Sequence, residues 1–159
     1  MAFETTALRF AGVMTDAAVG AAVEGRANIF EMTQAAEEAV LRPKDKGPWS
    51  HELRAALAAR IVALNAETDL AACYVEGAGA FADLADPAND GAAHGLAEVV
   101  DFMDKVAVDT RNVLATDISG LQATGVADAD IVRLAELNAF LAYQIRLIAG
   151  LRLMKGMFA

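Results

Sequence analysis

The sequence has one cysteine, Cys73, and two histidines, His51 and His94, among 159 residues. A lone thiol permits no internal disulfide, and without a C-x-x-C pair there is no zinc knuckle and no dithiol centre of that spacing. The histidines lie far apart and neither belongs to a recognisable ligand motif, so no metal and no cofactor is expected. A basic face is also missing. The 13 lysines and arginines are scattered against 22 acidic residues, giving a net charge of −9. Counterion release from nucleic acid needs clustered cations, so DNA, RNA and anionic lipid surfaces are excluded as partners. Nor does any apolar run reach the ~18 residues of a membrane span, because Arg133, Glu136, Arg146 and Arg152 interrupt the greasiest segment. The opening "MAFETTALRFAGVMTD" carries Glu4 early and lacks a basic stretch before its apolar part, so it does not read as a secretory signal. A cytoplasmic location is the expectation. Finally, β-branched runs are short and no alternating segment of strand length occurs, which argues against a sheet.

What is abundant is alanine, leucine, glutamate and arginine, the composition of helices. Hydrophobic residues make up 56% of the chain. That exceeds the ~45 to 50% of ordinary soluble proteins, a figure that already counts glycine. The surplus needs covering, and since large exposed apolar patches usually mark contacts, a homo-oligomer is expected. The length suits one domain spanning residues 1–159, able to bury a core without disulfides or metals. The expected fold class is all-α.

Helical periodicity divides the chain. Residues 16–24 and 27–41 read as two helices, with Val23, Ala27, Phe30 and Gln34 along one side. "RPKDKGPW" is turn chemistry and closes an N-terminal arm, residues 1–47, ahead of a core at 48–154. Ser50 stands where a helix cap belongs, before a helix over 51–64 whose Leu53, Leu57, Ile61 and Leu64 form a stripe. Asn65 would end it in a left-handed conformation, and Glu67 or Thr68 would begin the next helix, running to about 84. Further helices are expected at 95–108 (Leu96, Val99, Val100, Met103 and Val106 inward), at 117–124 capped by Thr116, and at 129–154 capped by Asp128. The last holds Ile131, Leu134, Leu137, Leu141, Ile145, Ile148 and Leu151 in register.

The succession "WSHELRAALAARIVALN", a junction, then "ATDISGLQATGVADADIV" and "RLIAGL" resembles the alkylhydroperoxidase D-like members of the carboxymuconolactone decarboxylase superfamily, especially their peroxidase-related branch. The match covers residues 48–151. It implies an oligomeric helical bundle. In catalytic members it also implies a glutamate, a C-x-x-C at a helix start and a histidine one turn later, in which one thiol attacks peroxide and the second resolves the sulfenic acid. Aligned on "RIVALN", those positions fall on Ala55, Glu67, Leu70 and Tyr74, and none is retained. A shift of one turn brings Cys73 to the second cysteine position but puts Leu70 at the first and Gly77 at the histidine. The resemblance therefore implies the frame without the dithiol chemistry.

Isolated cysteines usually pack as small hydrophobes, and no cation stands near Cys73 in sequence while Glu67, Asp69 and Glu76 do, so packing is the expected role. Glu67 reads as a first-turn carboxylate, Tyr74 as half-buried with a solvated tip, and His51 and Glu52 as surface residues pointing about 100° apart. Arg146, which matches an arginine of the family's last helix, is expected in a structural ion pair within or between subunits, and Met154 and Met157 as core or interface filler. The functional expectation is a binding or accessory protein, partnered by its own copies and, by resemblance, by a catalytically complete paralogue or a small apolar ligand. The competing expectation is an enzyme. It would use Cys73 as a single thiol, or carry out decarboxylase-like chemistry on a small carboxylic acid with Tyr74 or Glu67 as acid or base.

Overall fold

The computed structural model describes residues 4–13 and 17–156. Among them the regular structure is helical and no strand occurs. The α-helices are α1 (Thr6–Ala11), α2 (Ala17–Glu24), α3 (Ala27–Leu41), α4 (His51–Leu64), α5 (Thr68–Val75), α6 (Ala97–Val108), α7 (Ala115–Ala123) and α8 (Asp128–Met154), with 3-10 segments at Gly79–Ala85, Ala92–His94 and Thr110–Asn112.

α4 is the axis of the molecule. Every residue from Leu53 to Val62 is buried, so the one-sided stripe expected here is corrected to burial all round. Ala55, Ala56, Ala58 and Ala59 explain it: side chains this small let α3, α5, α6 and α8 approach from several directions. α8 lies against α4 and also meets α1, α3, α6 and α7. Its expected inward row is buried except for Ile145, which is half-buried. Ala7 and Leu8 of α1, Phe30 and Leu41 of α3 and the α4 residues belong to one buried cluster.

Two arginines on this buried helix tie down the loops beside it. Arg54 donates to the carbonyls of Trp49, Val40 and Lys46 at 3.1, 2.9 and 3.0 Å. Arg60, 2% exposed, grips Asp104 through two bonds of 2.6 and 2.7 Å. It also donates to the carbonyls of Leu84, Asp86, Asn89 and Pro87. A buried guanidinium is tolerable only with its donors satisfied, and here every one has an acceptor.

Several helix ends differ from expectation. α1 was not anticipated; it is six residues long, with Thr5 accepting from the Leu8 amide at 3.4 Å. Ser50 does cap α4, accepting from the Leu53 amide at 3.1 Å. The left-handed residue after α4 is Ala66 (φ 63°) rather than Asn65, whose side-chain amide instead donates to the Ile61 carbonyl. The helix expected to reach 84 stops at Val75. Gly79 has φ +52°, a left-handed turn beside the Glu52 side chain at the start of α4 that glycine takes without strain. α6 begins at Ala97, not 95. α7 begins at Ala115 and is anchored by Asp117, which accepts from the Leu114 amide at 2.7 Å, while Thr116 lies inside the helix. Asp128 is the first residue of α8 rather than its cap, and accepts from the Gln122 side chain. Asp16, the expected start of α2, and Met157 lie outside the described residues, and Met154 is 61% exposed rather than filler in the core.

Candidate functional site

α5 has two working faces. Leu70 and Tyr74, four residues apart, turn inward and are 0% and 6% exposed. Asp69, Ala72, Cys73 and Glu76 share the outer side, at the i, i+3, i+4, i+7 spacing of one helix face. Arg9 and Phe10 of α1 stand opposite, and together these six residues line an open cleft of about 490 Å³. Cys73 is partly exposed in it.

The cation that sequence neighbours do not supply comes from α1. Arg9 Nη2 lies 3.0 Å from Cys73 Sγ, and its guanidinium also covers the Phe10 ring at 4.7 Å from the centroid. Asp69 and Glu76 line the same cleft, so the sulfur has one cation in contact and two carboxylates on its own helix face. The expectation that Cys73 has no electropositive neighbour is thereby corrected.

Arg152 of α8 sets the distance between α1 and α5. It donates to the Phe10 carbonyl at 3.3 and 3.0 Å and to Glu67 Oε1 at 2.7 Å. One guanidinium thus joins the end of α1, the start of α5 and the last turns of α8. The Lys155 ammonium adds a bond to the Gly12 carbonyl.

Behind the cleft lies a buried polar triangle. Tyr74 Oη is 2.9 Å from Glu37 Oε1 and 2.6 Å from Gln144 Oε1, and Gln144 Nε2 donates to Glu37 Oε2 at 3.2 Å. The hydroxyl's single proton faces two acceptors. Burial, reinforced by the Glu37 carboxylate, pushes the Tyr74 hydroxyl far above its ordinary range, so the ring acts as a neutral donor. The half-buried tyrosine with a wet tip is corrected to a core residue.

The four positions implied by the family motif are therefore occupied by structure. Ala55, Leu70 and Tyr74 are buried, and Glu67 is held in an ion pair with Arg152. Neither Glu67 nor Tyr74 stands free to act as acid or base. His51 and Glu52 are exposed as expected, with His51 Nε2 3.0 Å from the Pro43 carbonyl. His94 lies against the Asp83 carboxylate at 2.9 Å, which holds that carboxyl below its usual range. Arg146 makes no ion pair among the described residues and donates to the Ala142 carbonyl of its own helix. Among the described residues no group of three histidine, cysteine or acidic side chains is disposed to hold a metal, and no helix is long and apolar enough to cross a membrane.

The residues that sequence reasoning missed are Arg9, Arg152, Glu37 and Gln144. The last two carried a signal: Glu37 continues the stripe of Phe30 and Gln34 on α3, and Gln144 stands beside the inward row of α8. A polar side chain at a core position calls for a buried partner. Arg9 carried none, because the residue it meets is 64 positions away. Comparison with family models, curated proteins and solved structures finds no match to the chain.

Proposed function

We propose that this chain is a binding or accessory protein on an alkylhydroperoxidase D-like frame that has lost dithiol peroxidase chemistry. The observation that carries the reading is the closure of the former site: Leu70 and Tyr74 face the core where the resemblance calls for a thiol and an imidazole, and Glu67 is paired with Arg152. The reading puts the protein in the cytoplasm, where a lone thiol stays reduced, as a homo-oligomer. Its ligand is a small apolar molecule taken against Phe10, or its partner a catalytically complete paralogue. The test is hydroperoxide consumption with a dithiol reductant, comparing wild type with Cys73→Ser. Equal background rates are expected, and turnover that depends on Cys73 would overturn the reading.

The Arg9 contact favours a second reading, a single-thiol enzyme. The Cys73 thiolate would attack a hydroperoxide oxygen, release the alcohol and become a sulfenic acid, which two equivalents of an external thiol would return to the thiol with loss of water. Rapid labelling of native Cys73 together with thiol-dependent peroxide consumption supports this reading. Labelling that waits for denaturant excludes it.

A further inference from the structure

The solvent side of α8 carries a regular pattern. Ala129, Val132, Glu136, Ala139, Tyr143, Arg146, Gly150 and Leu153 are all exposed, and they follow one another at alternating steps of three and four. That is a seven-residue repeat, the spacing of a two-helix seam. Val132, Tyr143 and Leu153 are large apolar side chains 55%, 43% and 63% exposed, and Ala129, Ala139 and Gly150 are small. Glu136 and Arg146 are the only charges in the row, and neither has an ion-pair partner among the described residues.

The row is symmetric about Leu141. Laid antiparallel on a second copy, Tyr143 meets the partner's Ala139, Val132 meets its Gly150, Leu153 meets its Ala129, and Glu136 meets its Arg146. Each large side chain finds a small one and each charge its opposite, twice over, as an isologous twofold contact requires. The seam would run for about 36 Å, from 1.5 Å per residue between positions 129 and 153. Tyr143 is already fixed for the contact. Thr33 Oγ1 bonds the Ile29 carbonyl, so the Tyr143 hydroxyl donates to Thr33 at 2.9 Å, and Phe140 flanks the ring at 6.3 Å. A ring held in place before association loses little freedom on binding.

We propose that this face is where a second copy of the chain docks, α8 against α8 in antiparallel twofold pairing. The inference rests on the homo-oligomer part of the reading above and on none of its chemistry.

The charges give the test. Glu136→Arg would set arginine against the partner's Arg146, Arg146→Glu would set glutamate against Glu136, and the double exchange would restore both pairs. Both residues are exposed, so the fold is expected to survive, and circular dichroism checks it. Light scattering at micromolar concentration should give an even number of chains for wild type, half that mass or less for each single variant, and the wild-type mass for the double variant. A monomeric wild type overturns both this proposal and the oligomer reading. An oligomer that both single variants leave intact overturns the seam alone, as does a double variant that fails to reassociate.

Discussion

Arg9 and Cys73 are separated by 64 positions of chain, yet Nη2 and Sγ stand 3.0 Å apart across the cleft between α1 and α5. The contact gives the only thiol a charged neighbour while leaving it partly exposed. Arg9→Ala removes the guanidinium that stands over the sulfur and should change the rate of native labelling by iodoacetamide at neutral pH, whereas the rate in denaturant should match wild type. Arg9→Lys should lie between wild type and Arg9→Ala. An Arg9→Ala rate equal to wild type would show that this contact does not govern the reaction of the thiol.

A similar separation governs Arg152. Arg152→Ala would release the Phe10 carbonyl and Glu67 together, so α1 should loosen from α5 and Cys73 should gain exposure. Faster hydrogen exchange over residues 6–12 and unchanged exchange in α4 is the expected pattern, because α4 is buried independently of this contact. Protection of residues 6–12 at the wild-type level would show that the Leu8 and Ala11 side chains hold α1 unaided.

Arg60 carries the largest expected stability effect. Its removal leaves four loop carbonyls and the part-exposed Asp104 carboxylate short of a donor, and a buried acceptor left unpaired typically costs about 1 to 3 kcal/mol. Arg60→Met, which keeps the stem but not the fork, should lower the urea midpoint by a corresponding amount. Arg60→Lys should recover only part, since one ammonium cannot reach the carboxylate and the carbonyls together. A change below about 1 kcal/mol for Arg60→Met would show that the 84–89 loop holds without it.

Legibility in the sequence followed locality. Helix periodicity located α3, α4 and α8 within a residue or two, because a buried stripe is written in spacing alone. The Ser50 cap was legible for the same reason, its partner being three residues away. What misled was geometry set from elsewhere in the chain. The α5 run that periodicity carried to 84 ends at Val75, and the chain passes through left-handed Gly79 into a 3-10 segment, Gly79–Ala85, that packs on α4. The all-round burial of α4 is not written in its leucine stripe, because the burial of Arg54 and Arg60 depends on loop carbonyls that tertiary packing brings to them. At the site, the sequence could name Cys73, Glu67 and Tyr74 but not their partners Arg9, Arg152, Glu37 and Gln144, all brought in by tertiary packing.

Tyr74→Phe isolates the buried triangle. Without the hydroxyl, the Glu37 and Gln144 oxygens it bridges lose a donor in a site closed to water, at a cost of about 1 to 3 kcal/mol. The raised folded-state ionisation of Tyr74 adds a second signature. Its contribution is fully present below about pH 10, the ordinary tyrosine value, and is lost as pH rises further, because the unfolded chain ionises first. Denaturation from pH 8 to 11 should show wild type losing stability more steeply than Tyr74→Phe. Parallel curves would mean that the hydroxyl finds water when folded.

The acid side is controlled in part by Asp117. Its carboxyl is held below the usual range first by the Leu114 amide at 2.7 Å and then by the Lys105 ammonium at 2.8 Å. A lowered folded value means that the stabilisation is present above about pH 4, the ordinary aspartate value, and is lost as pH falls below it. Asp117→Asn should therefore melt below wild type at pH 7, and the gap should close between about pH 4 and pH 2 as the wild-type carboxylate takes up its proton. Glu38 and Asp83 also have lowered values, from Arg42 and His94, but both are present in wild type and variant and cancel in the difference. A gap that stays constant down to pH 2 would place the effect of Asp117 in side-chain packing at the start of α7 rather than in its charge.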